Sequence, residues 1–457
     1  MTQSTQKTNL AHALSLAAQC LADVESGRSL SAVLYKLEGP NRPAALALVS
    51  HALRFWGLGR TWRSMALSKR ASSAALNSLV GLSLLMLDVA MQKGEGSAEA
   101  ASVPSHQSPL SSDAPVYPVH TIVDQSVRAA RLLISAPFAP RLINAILRRF
   151  QRERAIFVEA VTNDPVARYG YPVWWQKRVQ QAYPAQWEAI LSVSRHKPAL
   201  VLRVNTRVTT LQTVIEAMQA QNLEAQALTE VALSVRNTGA VESLPGYDAG
   251  WWSVQDLSAQ RAAQILAPFD GAKVLDACAA PGGKSSHLLE LAQIELTAVD
   301  ADARRLAMTK QNLSRLQLMD PDCVHLIHAD VRKSQSWRAN GPYDLILADV
   351  PCTASGIVRR HPDIPWLRRE SDLKQTTHLQ REILDALWSS LKPGGRLLLA
   401  TCSVFEEEGE QQAQAFLSRF ADAKRQPAPG QILPMAAGEQ HATGFDGFFY
   451  ALFEKGI

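Results

Sequence analysis

From about residue 240 the chain alternates short apolar runs with helical stretches. "KVLDAC", "LTAVD", "CVHLIHA", "DLILADV" and "GRLLLATC" read as buried parallel strands. "SSHLLELA" and "ARRLAMTKQNLSRLQ" lie between them with apolar residues at helical spacing. This alternation predicts a doubly wound α/β sheet with a Rossmann-like arrangement. Ligands of such sheets bind outside the carboxyl ends of the strands, so the residues that close each run are the candidates for chemistry.

At 457 residues the chain exceeds one ordinary core, and its texture divides it in three. Residues 1–155 carry helical spacing in "SAVLYKLE", "ALALVSHALRFWGLGRTW" and "LINAILRRFQRERAIF", which predicts an all-helical domain. Residues 94–118, rich in Ser, Pro and Ala, break that pattern and read as a flexible insertion. Residues 160–235 read as a small α/β module, with "ALVLRVNT" as a strand and "TTLQTVIEAMQAQ" as a helix. Residues 240–457 form the sheet domain.

A net charge of +5 permits a nucleic-acid partner without requiring one. The five cysteines form no C-x-x-C pair and have no histidine cluster beside them, which argues against a disulfide framework or a metal site and for a reducing compartment. The N-terminus has no cationic stretch leading into an apolar core, and the longest apolar run, Leu79 to Leu87, is too short to span a bilayer. A soluble cytoplasmic protein without membrane or metal partners is expected.

The first sheet turn reads "DACAAPGGKSSH". Its Gly-Gly-Lys-Ser ending matches half of a phosphate-binding P-loop, but Cys278 stands where the first glycine belongs, and G-x-G-x-x-G is absent as well. What remains is a strand, a tight Pro281-Gly282-Gly283 turn that lets backbone approach a ligand, and a helix. Asp300 ends the second run about twenty residues on, where a carboxylate can accept from ribose hydroxyls; Asp330 and Asp349 end the third and fourth. Any one of these acids could be an ordinary helix cap. A glycine turn and three acids in this order suit S-adenosylmethionine, which is cationic and has no phosphates to cradle.

Two cysteines follow at strand ends, Cys352 after Pro351 and Cys402 after Thr401. A buried cysteine is most often a small hydrophobe. Two at the cofactor end of one sheet point instead to thiol chemistry on a pyrimidine. Carbon 5 of that ring is a poor nucleophile until a thiolate adds to carbon 6. A carboxyl group near ring nitrogen 3 stabilises the developing charge, and a base must later remove the carbon-5 proton. Spacing alone does not say which cysteine attacks.

The motifs "DACAAPGGKSSH", "DVPCTASGIVRRHPDIPWLRR", "LKPGGRLLLATCSVFEEEGE" and "DGFFYALFEK" resemble those of bacterial 16S ribosomal RNA cytosine-C5 methyltransferases of the RsmB/NOP family, and the likeness extends over nearly the full chain. It implies a class I S-adenosylmethionine-dependent methyltransferase domain preceded by a NusB-like RNA-binding helical domain that includes "LINAILRRF". It implies a cofactor site lined by Cys278, Ala279, Ala280, Pro281, Gly282, Gly283 and Lys284, with Asp300, Asp330 and Asp349 contacting cofactor or base, and Lys284 ordering the site near Asp349. In that family the nucleophile is the cysteine of Thr-Cys-Ser, here Cys402, and the Pro-Cys cysteine, here Cys352, releases product. Val350 stands where the family has alanine, and no loss of activity is expected from it.

"GIVRRHPDIPWLRRE" gathers Arg359, Arg360, His361, Arg368 and Arg369 around Trp366, a composition suited to phosphates and an unpaired base. These residues are expected to contact RNA, with the target base flipped into the pocket. The same composition also suits a solvated loop around a buried tryptophan. The expected protein is a monomer acting on 16S ribosomal RNA. The same chemistry on transfer RNA, or a non-catalytic RNA-binding factor on a methyltransferase scaffold, is the alternative.

Overall fold

The structure, a computed structural model, describes residues 9–34, 37–69, 71–94, 114–236, 238–333, 335–435 and 444–457. Most of the insertion expected at 94–118 lies outside them. The chain divides into two units: residues 1–197 with Val358–Arg368, and residues 198–357 with 369–457.

The first unit is helical, its main helices being Leu10–Glu25, Arg42–Arg54, Trp56–Ala66, Ala74–Gly94, Val119–Leu133 and Phe138–Ala160. Ala74–Gly94 has 21 residues and is apolar enough to cross a membrane by length and composition, so the run is longer than Leu79 to Leu87 alone implied. Within this unit it is a core helix: 83% of its most apolar window is buried, and Leu79, Leu82, Leu84, Leu85 and Leu87 are wholly inaccessible. Each such side chain contributes about 1.5–3 kcal/mol by leaving water. Two ion pairs staple the helices around it, Arg154 to the buried Asp88 at 2.6 Å and Arg63 to Glu25 at 3.0 Å.

The second unit opens with a four-stranded antiparallel sheet of β1 (Leu200–Val204), β2 (Glu224–Ala227), β3 (Ala232–Arg236) and β4 (Trp252–Val254), in the order β2-β3-β1-β4. The expected module boundaries differ from this. The helices Val173–Ala182 and Trp187–Ser192 belong to the first unit, while β4 lies beyond residue 235 because Trp252 and Val254 pair with β1. Trp252 fills this sheet's core, its indole donating to the Pro245 carbonyl at 2.7 Å.

The larger sheet has seven strands: β5 (Lys273–Asp276), β6 (Glu295–Asp300), β7 (Val324–His328), β8 (Tyr343–Asp349), β9 (Leu391–Thr401), β10 (Ala423–Ile432) and β11 (Phe448–Lys455). Their order is β10-β11-β9-β8-β5-β6-β7. The five runs read from sequence are β5 to β9 and pair in parallel; β11 runs antiparallel to β9 and to β10. Alternation along the strands sends side chains to two cores. Val274, Leu345, Leu347, Leu398 and Tyr450 meet helices Leu257–Leu266 and Gly283–Leu291 on one face. Leu275, Ile346, Leu397, Leu399 and Phe449 meet helices Glu370–Trp388 and Glu410–Arg419 on the other. This three-layer arrangement is the Rossmann-like α/β fold expected from the alternation, with every parallel strand's carboxyl end on one edge.

Candidate active site

The turn after β5 is built by close approach. Gly282 has φ +93°, a region L side chains avoid, and a Cβ there would stand 2.8 Å from Thr309 Cγ2. Ala279 and Ala280 are buried, Cys278, Gly283 and Lys284 half-buried, and Pro281 exposed. Gly282 is also the N-cap of helix Gly283–Leu291 and offers it no side-chain acceptor, so the first helical N–H groups remain for other partners.

Arg203 on β1 holds this helix from behind. It is wholly buried; its guanidinium donates to Glu290 at 2.8 Å through two nitrogens, to Ser286 Oγ and the Gly283 carbonyl at 2.9 Å each, and to Gln255. Burial raises the Glu290 carboxyl, an effect that the Arg203 charge offsets only in part.

The acids at the strand ends have different roles. Asp300 Oδ2 accepts from the Ala280 N–H at 3.1 Å and Oδ1 from the Asp302 N–H at 2.9 Å, which ties the β5 turn to β6. Asp349 Oδ2 accepts from Lys284 Nζ at 2.6 Å. Burial alone would depress the Lys284 ammonium, but Asp349 outweighs it and the net direction is upward; Cys402 is close enough to act in the same sense. The ammonium also lies 5.3 Å over the Phe448 ring. Asp330 takes no part in this network. Arg332 grips it through Nε and Nη2, at 2.9 and 2.7 Å, and holds it below the usual carboxylate range.

Sequence reasoning missed Asp276, the last residue of β5. It is 1% exposed; Oδ2 accepts from Ser285 Oγ at 2.7 Å and Oδ1 has no hydrogen-bond partner among the described residues. Burial pushes it up to about 7, with Asp349 adding in the same direction and Ser285 opposing. An orphaned buried carboxylate oxygen is costly and marks a place prepared for a donor or a cation. With the backbone cradle at Gly282 it fits a cationic nucleoside cofactor.

The two thiols meet at the ends of neighbouring strands. Cys352 Sγ and Cys402 Sγ are 3.4 Å apart. The hydrogen bond to Cys402 pushes the Cys352 thiol well above its ordinary range, with burial and the Glu408 carboxylate adding to the effect. Cys278 is also pushed well above the usual thiol range, first by burial and then by Asp349, Asp276 and Asp300. It is a packing residue of the cofactor turn rather than a nucleophile.

The basic loop divides into packed and accessible residues. Val358–Arg368 belongs to the helical unit. Arg359 is only 4% exposed, so it is a packed residue and not an open phosphate contact. Asp363 accepts from the Leu30 N–H at 2.8 Å. Trp366 is half-buried; its indole donates to the Leu53 carbonyl at 3.1 Å, and the Arg60 guanidinium lies 5.5 Å over its ring. His361 is exposed, and Arg360 and Arg368 are half-exposed.

A Rossmann-like sheet with a glycine turn after its first parallel strand and acids at the strand ends defines a class I methyltransferase, and its cofactor is S-adenosylmethionine. A family described as 16S rRNA methyltransferase RsmB/F matches residues 263–454, and the RsmF/B-like ferredoxin-like domain matches residues 171–242. The chain is 42% identical over 337 residues to ribosomal RNA small subunit methyltransferase B of Serratia proteamaculans (strain 568), covering 73% of this chain and 77% of that protein. It is 41% identical over 338 residues to the protein of the same name from Yersinia pestis, with 73% and 77% covered. The chain belongs to the RsmB/F family of small-subunit rRNA methyltransferases. Among solved structures, PH0851 superposes with a TM-score of 0.73 at 22% identity, covering 97% of this chain and 99% of that one, a likeness of fold. A methyltransferase homologue from Pyrococcus horikoshii gives 0.53 at 27% identity, covering 64% and 98%.

Proposed function

We propose that the protein methylates carbon 5 of a cytosine in 16S ribosomal RNA through a covalent adduct between Cys402 and carbon 6. The observation that carries this reading is the thiol pair, 3.4 Å apart beside the Lys284–Asp349 pair. Cys352 stands beside Cys402, and the Lys284 ammonium is close enough to Cys402 to feel its charge. Cys402 is read as the attacking group. Its thiol gives up its proton to solvent, the thiolate sulfur bonds to carbon 6, and the ring electrons this releases make carbon 5 nucleophilic. Asp349, oriented by Lys284, gives a proton from its carboxyl group to ring nitrogen 3 as that charge develops.

S-adenosylmethionine, when bound, supplies the methyl group that carbon 5 takes. The residues from Cys278 to Lys284, with Asp276 and Asp300, would hold it. Product release needs the carbon-5 proton to leave and the sulfur–carbon bond to break, returning the electron pair to Cys402. Cys352, beside that sulfur, takes the carbon-5 proton once it is itself deprotonated. RNA contacts fall to Arg360, His361 and Arg368 rather than to the packed Arg359.

Bisulfite sequencing of ribosomal and transfer RNA from a strain lacking the gene tests the substrate. Loss of one 5-methylcytosine from 16S rRNA supports the reading. Loss from transfer RNA alone moves the activity there, and no loss from either leaves a non-catalytic factor.

A further inference from the structure

Glu408 lies in the acidic run "FEEEGE", where composition alone reads as a solvated surface. Its neighbours Glu406 and Glu407 fit that description better than it does: Glu406 is exposed and Glu407 half-exposed, while Glu408 has no accessible surface at all. A carboxylate taken wholly out of water costs several kcal/mol unless donors surround it. Four donor groups do so. The Thr353 N–H reaches both oxygens, at 2.8 and 3.1 Å, and Thr353 Oγ1 reaches Oε2 at 2.5 Å. Thr376 Oγ1 and Gln380 Nε2, both on helix Glu370–Trp388, reach Oε1 at 2.6 and 3.4 Å.

These bonds converge on the thiol pair from both sides. Thr353 directly follows Cys352, and Gln380 Nε2 also donates to the Pro351 carbonyl at 2.9 Å, so residues 351–353 are held on each flank of the thiol. Thr401, directly before Cys402, donates its hydroxyl to the Glu408 carbonyl at 3.1 Å. One buried residue thus grips the neighbour of each cysteine, through its carboxylate on one side and its main chain on the other.

We infer that Glu408 is the positioning residue for the thiol pair, setting the Cys352 loop against Cys402 so that the covalent RNA intermediate can be released. It touches neither cofactor nor base; it acts through Thr353. The inference rests on the proposed adduct chemistry. Its signature is that loosening the loop should slow release more than attack, because Cys402 directly follows the last residue of β9 while the Cys352 loop loses its hold.

The test uses the full-length protein with a 16S rRNA substrate, and three variants: Glu408→Gln, Thr353→Val and Cys352→Ala. In the Gln variant the Thr353 hydroxyl can rotate to accept from the new amide, so the site is not left with a clash. Thr353→Val keeps the shape and removes the shortest bond, and Thr353→Ser restores it. Expected for the first two are S-adenosylmethionine affinities within about twofold of wild type, turnover lower by about tenfold or more, and RNA-linked protein accumulating on denaturing gels, with Thr353→Ser near wild type. Wild-type levels of linked protein in Glu408→Gln and Thr353→Val, while Cys352→Ala accumulates it, would overturn the inference and leave the adduct reading standing. Loss of cofactor binding together with turnover in both variants would overturn it too, in favour of a general structural role. No linked protein even in Cys352→Ala would defeat the adduct reading itself.

Discussion

Cys352 and Cys402, 50 residues apart in sequence, hold their sulfurs 3.4 Å apart at the ends of adjacent parallel strands. On the proposed mechanism Cys402 attacks and Cys352, beside it, serves release. Cys352→Ala should therefore leave methyl transfer to carbon 5 intact and block release. A single-turnover assay should show one methyl group transferred per enzyme with the RNA still attached, and steady-state turnover lower by about a hundredfold or more. Release at the wild-type rate would remove Cys352 from the mechanism.

Asp276 gives a pH dependence of definite sign. Its folded value is raised from 3.8 to about 7, so the folded state prefers it protonated. Its contribution to stability is full below 3.8 and is lost as pH rises through about 7. A cationic cofactor reverses that preference by favouring the carboxylate, and binding then releases a proton. Cofactor affinity should rise by up to about tenfold per unit between about pH 6 and pH 7 and then level off. Calorimetry in buffers of different ionisation enthalpy reads both the affinity and the proton. In Asp276→Asn the affinity should be lower and this component of the pH slope absent; an unchanged slope would assign it elsewhere.

Arg203→Met leaves Glu290 buried without the guanidinium that grips it and takes from the Gly283 carbonyl one of its donors. Breaking a buried pair from one side typically costs about 3–5 kcal/mol. The melting temperature should fall and cofactor affinity with it. Burial already raises the Glu290 carboxyl, and without Arg203 it rises further, so the variant should regain stability as pH is lowered and Glu290 protonates. The double variant Arg203→Met, Glu290→Leu should recover part of the melting temperature without restoring cofactor binding, which thermal melts with and without cofactor will separate.

Gly282→Ala places a side chain at φ +93° and 2.8 Å from Thr309 Cγ2. The backbone term is about 1–2 kcal/mol and the contact adds to it. Cofactor affinity should drop by more than tenfold while the sheet remains folded by circular dichroism. Adding Thr309→Ser removes the clashing methyl and should return only the contact's share.

The fold was legible because buried parallel strands announce themselves: β5 to β9 are short apolar runs with helices between them, and their closing residues pointed to the site edge. β10 was not legible. It carries Pro427 and Pro429 beside a register shift between Gln426 and Gly430, and few of its side chains are apolar or buried, as befits an edge strand. The glycine turn and both cysteines could be read from local pattern. Arg203 and Glu408 could not, because each owes its significance to burial against residues distant in sequence; Asp276 closes β5 and was open to the same reading as the other strand-end acids. Glu290 is 87 positions from Arg203, and Thr353 is 55 from Glu408. Arg359 misled in the opposite sense: its composition reads as an open basic loop, yet the fold buries it.

The most direct test of the mechanism is to trap the adduct and find its cysteine. RNA carrying 5-fluorocytosine at the target position accepts attack at carbon 6 and methyl transfer, but carbon 5 then has no proton to lose, so the enzyme remains attached. Peptide mapping of the trapped complex by mass spectrometry should place the modified nucleotide on Cys402. A nucleotide on Cys352, or no covalent complex despite active methylation of unmodified RNA, would contradict the account.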